Sequence, residues 1–270
     1  MTVEPVYRTI LVLDLEHFGR GDRDDQVRVR LRRALRKVMA EALGEAGVPS
    51  ERYSTSDTGD GLLVLVDPAV PTARVVRAML DLFAAAVAEH NRLIRAVAQL
   101  RVRAAIHAGQ LLLDEQGATG EQLNLAFRLL DAPQLRARLA QSPAPTVVCV
   151  SDDVYREVVR QRHLWLDPET FAPLDIVAKE TRARAWVHAS PAAGAAHLDE
   201  RIAETRAVIR TLERRELAGT AGGSPQAELR ELYERLEAFR HGGTPCLPEA
   251  RSGSCTAIPC RPGGPPATKS

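Results

Sequence analysis

Two carboxylates border hydrophobic strands in this chain. Asp14 interrupts an apolar run over 7–15 (YRTILVLDL), and Asp60 sits in Gly59-Asp60-Gly61, directly before Leu62-Leu63-Val64-Leu65-Val66. An unpaired charge inside a buried strand is strongly unfavourable, and two carboxylates brought together repel unless a cation lies between them. The pattern therefore predicts a divalent-cation site. A second pair, Asn124 and Arg128, is four residues apart in a helical segment, so both side chains share one face. Arg128 offers a planar cationic fork suited to phosphate oxygens, and Asn124 offers neutral hydrogen bonds. Taken singly, each has a plainer reading: Asp14 as a strand-end acceptor, Asp60 as a turn residue, Arg128 as a solvated helix residue. Asn124 is harder to set aside, because Asn is a poor helix former.

Positioning these residues requires a specific order of elements. The strand over 7–15 leads through a polar loop into a helix over 25–46, with Val27, Leu31, Leu35, Val38 and Ala42 at helical spacing and Gly47 at its end. Two short strands flank the Gly59-Asp60-Gly61 turn as a hairpin. A helix over 72–91 follows. Segments 100–107 and 110–113 read as an antiparallel pair turned at Ala108-Gly109. A helix over 121–131 and a strand over 146–150 come next, then Ser151 as an N-cap, and closing strands over 175–179 and 184–188. His107 reads as a hydrogen-bonded structural histidine. The β-α-β-β-α-β order predicts a ferredoxin-like α+β domain over 1–190. Two apolar stripes, one with Ile209 and one with Leu232, predict a helical hairpin over 191–240 that packs on the domain or on a partner protein. The Gly-, Pro- and Ser-rich residues 241–270 predict a disordered tail.

Composition narrows the function classes. The 270 residues are 45% hydrophobic and 26% charged, ordinary for a soluble globular protein. A net charge of +1 gives no whole-chain reason to expect nucleic acid or an anionic membrane as partner. No apolar run approaches the ~18–20 residues that span a bilayer, and the first residues lack a signal-peptide layout, so a cytoplasmic location is expected. The four cysteines, Cys149, Cys246, Cys255 and Cys260, match no zinc spacing, and Cys149 reads as a core residue. Arginine and alanine dominate while lysine is confined to Lys37, Lys179 and Lys269, the usage of a high-GC genome. Single arginines are weak signals in such a chain, and Lys179 stands out.

Four motifs in order resemble the catalytic domain of class III nucleotidyl cyclases, the adenylate and guanylate cyclase superfamily. They are Asp14-Leu15-Glu16-His17-Phe18, Gly59-Asp60-Gly61-Leu62-Leu63, Arg103-Ala104-Ala105-Ile106-His107-Ala108-Gly109, and Gly120-Glu121-Gln122-Leu123-Asn124-Leu125-Ala126-Phe127-Arg128. The resemblance covers about residues 7–190 and points to a divergent bacterial, actinobacterial-type member. It implies that Asp14, the Leu15 carbonyl and Asp60 bind two Mg²⁺ or Mn²⁺ ions, and that Ser56, Arg103 and Lys179 bind a nucleoside triphosphate substrate, Lys179 at its phosphates. It also implies that Asn124 and Arg128 are catalytic, with Asn124 orienting a ribose or the attacking hydroxyl. The two halves of each site would come from different chains of a head-to-tail homodimer, and the product would be a cyclic nucleotide.

The match fails at the base. The position four residues before Asp60 carries Lys for adenine or Glu for guanine in purine cyclases, and here it is Ser56. The second base-reading position, seven residues before Asn124, is Gly117. A site without its base-reading hydrogen bonds loses discrimination. Two classes of function remain open: a cyclase reading another base, such as a pyrimidine, as in bacterial antiphage signalling, or a cyclase-homology module that binds a nucleotide or a partner without turnover.

Overall fold

Strand β1 (Val6–Leu15) is buried along most of its length because helices cover both faces of the sheet. Its side chains alternate: Leu11, Leu13 and Leu15 enter a core with Leu31, Leu35, Val75, Met79 and Phe83, while Ile10 and Val12 enter a second core with Leu123, Ala126, Leu129 and Leu135. Asp14 has the parity of Ile10 and Val12 and belongs to the second face. A computed structural model describes residues 4–178 and 181–188, together with Ile209, Thr211, Arg230, Leu232 and Tyr233.

After β1 come helix α1 (Asp25–Glu45), strands β2 (Tyr53–Asp57) and β3 (Gly61–Val66), and a helical stretch of α2 (Thr72–Arg77), a π-helical segment (Ala78–Phe83) and α3 (Ala84–Arg92). The Asp24 side chain caps α1 by accepting from Val27 N–H. Strand β4 (Val102–Asp114) then returns beside β1. These four strands lie in the order β2-β3-β1-β4, the ferredoxin-like core that the sequence predicts. The chain crosses through α4 (Glu121–Asp131) and α5 (Pro133–Gln141) to β6 (Thr146–Ser151), parallel to β4. Ser151 caps the short α6 (Asp152–Val154), and the hairpin of β7 (Phe171–Ala178) and β8 (Thr181–His188) completes the sheet. The fold class is α+β.

One expectation is corrected. Segment 100–113 is no hairpin: β4 runs unbroken through Ala108-Gly109 and pairs at its far end with β5 (Gly117–Thr119). Gly109 serves close approach instead of turning, since a Cβ there would lie 2.7 Å from Gln122 Cγ of α4.

The helical hairpin expected over 191–240 and the tail expected over 241–270 lie outside the described residues except at five positions, all helical. Of these, Tyr233 is buried; it stacks on Trp165 at 5.0 Å, and the Arg77 guanidinium lies 4.8 Å over its ring. Among the described residues no helix is long and apolar enough to cross a membrane.

Candidate active site at the ends of β1 and β3

Asp14 has two cross-strand neighbours, Gly61 on β3 and Arg103 on β4. Gly61 permits the first approach. A Cβ on it would sit 2.0 Å from the Leu13 carbonyl oxygen, so only glycine brings the β2–β3 turn against β1. Gly59 contributes its own freedom, adopting φ +95°. As a result the Leu15 N–H donates to the Asp60 carbonyl at 3.1 Å. Asp14 and Asp60 thus stand at adjacent strand ends, the former buried and the latter exposed.

The turn is tethered from α1. Asp57 Oδ1 accepts the Gly59 N–H at 2.8 Å, and Oδ2 receives Arg32 Nε at 3.1 Å as well as Arg36. Burial alone would push the Asp57 carboxyl up, but hydrogen bonds from Arg32 and Gly59 and the charges of Arg32 and Arg36 outweigh it and hold it below its ordinary value. The loop after β1 is pinned by the buried Arg23, which donates to the carbonyls of Glu16, His17 and Val97 at 3.0–3.1 Å. Burial pulls the Arg23 guanidinium pKa down. Sequence reasoning missed both anchors; only the Asp-x-Gly turn and the i, i+4 spacing of Arg32 and Arg36 hint at the first.

On the second sheet face Asp14 forms an ion pair with Arg103, and both are buried. Asp14 Oδ1 and Arg103 Nε and Nη1 have no hydrogen-bond partner among the described residues. Burial lowers the Arg103 pKa first, nearby Arg136 lowers it further, and Asp131 opposes both. At the other end of α4, fully buried His107 bonds Ser151 Oγ through Nδ1 at 2.8 Å and Gln122 Oε1 through Nε2 at 2.6 Å. Gln122 Oε1 can only accept, so Nε2 carries a proton and donates to it, while Ser151 Oγ bonds Nδ1 and also accepts the Val154 N–H. Both ring nitrogens are satisfied, as expected for a structural histidine.

The structure brings Asp14, Leu15, Asp60 and Arg103 together. Asn124 and Arg128 lie on the exposed side of α4, one turn apart, opposite the buried Leu123, Ala126 and Leu130. Ser56 is exposed on β2, cross-strand from Leu63. Lys179 lies outside the described residues. Cys149 is a core residue with its thiol pushed up to about 12 by burial.

Among the described residues no three His, Cys, Asp or Glu side chains converge on one point. Mg²⁺ is ordinarily held by one or two carboxylates with substrate phosphates and water, and the unpartnered Asp14 Oδ1 would be one such oxygen.

The sheet order, the crossover through α4 and the closing hairpin together define the fold of adenylate and guanylate cyclase catalytic domains. Among solved structures it is shared with an adenylate/guanylate cyclase/hydrolase from Silicibacter pomeroyi, at TM-score 0.52 and 22% identity over 70% of this chain and 99% of that one. A guanylyl cyclase matches at TM-score 0.51 and 16% identity, over 73% and 98% of the two chains. A bacterial light-regulated adenylyl cyclase matches at 0.51 and 17%, over 69% and 54%. At these identities the likeness is one of fold. Compared as a sequence, the chain matches no family model and no characterised protein.

Proposed function

We propose that this protein is a nucleotidyl cyclase, converting a nucleoside triphosphate to its 3′,5′-cyclic monophosphate and pyrophosphate. The observation that carries this reading is the meeting of Asp14, Asp60 and Arg103 at one sheet end, on a cyclase-domain fold. In the reaction the 3′-oxygen bonds to the α-phosphorus, the bond to the α–β bridging oxygen breaks, pyrophosphate leaves, and the hydroxyl proton passes to water.

Asp14, the Leu15 carbonyl and Asp60 would hold two Mg²⁺ or Mn²⁺ ions, which when bound would activate the hydroxyl and neutralise phosphate charge. Arg103 and Lys179 bind phosphate oxygens, Arg103 through the Nε and Nη1 that have no partner among the described residues. Asn124 orients the ribose and Arg128 stabilises charge on the transferring phosphoryl group. Because Asn124 and Arg128 project from the exposed side of α4, this reading has them serve the site of a second chain in a head-to-tail homodimer. Ser56 faces the base. A short hydroxyl in place of Lys or Glu favours a pyrimidine, and hence a signalling role of the antiphage kind.

A second reading, a nucleotide-binding module without turnover, draws on the Asp14–Arg103 ion pair, which occupies a proposed metal carboxylate. One experiment separates the two. Purified protein is incubated with each of the four NTPs and Mn²⁺, and cyclic nucleotide and pyrophosphate are quantified. One NTP turning over, and product lost in Asp60→Ala, is the expected result. Thermal stabilisation by an NTP without product from any would establish the module instead.

A further inference from the structure

The Asp14–Arg103 pair is incomplete. A buried ion pair offsets its desolvation only when the remaining donors and acceptors are also hydrogen-bonded. Among the described residues Arg103 spends one nitrogen, Nη2, on Asp14, and its Nε and Nη1 are buried without a partner, as is Asp14 Oδ1. As a device for stability this is poor. Replacing the two side chains by apolar ones would remove two desolvation costs and three orphaned atoms.

The orphaned atoms share a logic. On the carboxylate, the free oxygen is an open coordination position for a cation. On the guanidinium, the free Nε and Nη1 carry three of the five N–H donors, but each makes a phosphate fork only together with Nη2, the nitrogen that Asp14 holds. Arg136 and Asp131 act on the Arg103 charge in opposite senses, and among the described residues Asp14 is the carboxylate paired with it.

We propose that Arg103 is an exchangeable internal counter-ion. It neutralises Asp14 while no divalent cation is bound, and it is released to an anionic polyphosphate when the cation takes the carboxylate. The proposal rests on the reading of the site given above and adds to it a coupling between its two ligands. Without the cation Arg103 is spent on Asp14 and polyphosphate binds weakly; without the polyphosphate the cation must displace a buried guanidinium. Each ligand therefore raises the affinity of the other by the same factor.

The test uses the full chain and two probes, each added alone. Free Mn²⁺ is counted by electron paramagnetic resonance during titration without phosphate. Inorganic tripolyphosphate is titrated calorimetrically in EDTA. Arg103→Gln removes the competing cation and is expected to bind Mn²⁺ about tenfold more tightly than wild type, within the usual range of coupling between sites. Asp14→Asn removes the charge that occupies Arg103 and is expected to bind tripolyphosphate about tenfold more tightly. A merely structural pair predicts no gain in either arm. If circular dichroism shows Arg103→Gln unfolded, the near-isosteric Asp14→Asn decides alone. If wild type binds both probes and the folded variants gain nothing, the exchange is overturned while the site reading stands. If neither wild type nor variants bind either probe, the site reading falls with it.

Discussion

Replacing Gly61 by alanine isolates the contact that sets Asp60 beside Asp14. A Cβ at this position would meet the Leu13 carbonyl oxygen at 2.0 Å and the Thr58 hydroxyl oxygen at 2.8 Å. Thr58 can rotate aside, but the Leu13 oxygen is backbone in the neighbouring strand. It must retreat by about 1.4 Å, from 2.0 to 3.4 Å, before ordinary contact begins. The strands part where Leu15 N–H bonds Asp60 O at 3.1 Å, so that bond is lost as well. Overpacking costs about 1–3 kcal/mol and the hydrogen bond about 1 kcal/mol, so a loss of roughly 2–4 kcal/mol is expected. For a domain of this size that lowers Tm by about 4–16 °C. Two controls separate steric from conformational cost. Gly59→Ala meets nothing within 4 Å and suffers only its φ of +95°, about 1–2 kcal/mol. Gly19→Ala has open space and no positive φ, and is expected within about 0.5 kcal/mol of wild type. Thermal melts followed by circular dichroism give the ranking. A Gly61→Ala protein melting within a degree of Gly19→Ala would refute the close approach, and with it the placement of the β2–β3 turn against β1.

Two further expectations concern assembly and burial. If each site is completed by a second chain, Asp60→Ala and Asn124→Ala, each inactive alone, recover about a quarter of wild-type activity when mixed in equal amounts, because half the dimers are mixed and each has one intact site; continued inactivity, with exchange verified by a tag pull-down, would sink the shared site. Cys149 is expected to resist a thiol reagent at pH 8 in the folded protein and to react at once in denaturant, since the thiolate is the nucleophile. Its folded pKa of about 12 lies above the ordinary 9.0, so the folded chain holds the proton more tightly between those values. Its contribution to stability is therefore complete below pH 9 and declines as pH rises toward 12, which denaturant melts at pH 8 and pH 10.5 would register as a lower midpoint in the alkaline sample.

Sequence patterns and their limits can be separated residue by residue. Unbroken apolar runs located β1 and β3 because both faces of each strand are covered, and 3.6-residue periodicity located α1 because it buries one stripe against the sheet. The 100–113 stretch was misread because Ala108-Gly109 looks like a turn in one dimension; the demand for glycine comes from Gln122 across the gap, which only the fold supplies. Helix α5 escaped notice because its 133–141 stretch is polar except at Ala and Leu positions, and Pro133 reads as a break. In the fold Pro133 is the first helical residue, and it holds Ala132 extended at φ −58°, ψ 130°, between two helices. Asp14 was visible as an anomaly, but its partner was not. Whether Arg103 lies opposite Asp14 or one residue to either side depends on strand register, and register is fixed by both cores acting together.

Helix α4 shows what that register secures. Gln122, in its first turn, bonds His107, while Asp131, at its last residue, acts on the charge of Arg103. Nine helical residues rise about 13.5 Å, and the four strand residues from His107 back to Arg103 span about 13 Å. Helix and strand therefore run antiparallel in step, locked at one end by the Gln122–His107–Ser151 network. Satisfied buried networks of this kind hold one packing arrangement over its neighbours, because a one-residue slip would orphan every member. Asn124 and Arg128 are carried between the two ends. Their outward direction is thus set by a buried histidine that touches neither of them, and a change at His107 should disturb the outer face of α4 before it disturbs the sheet.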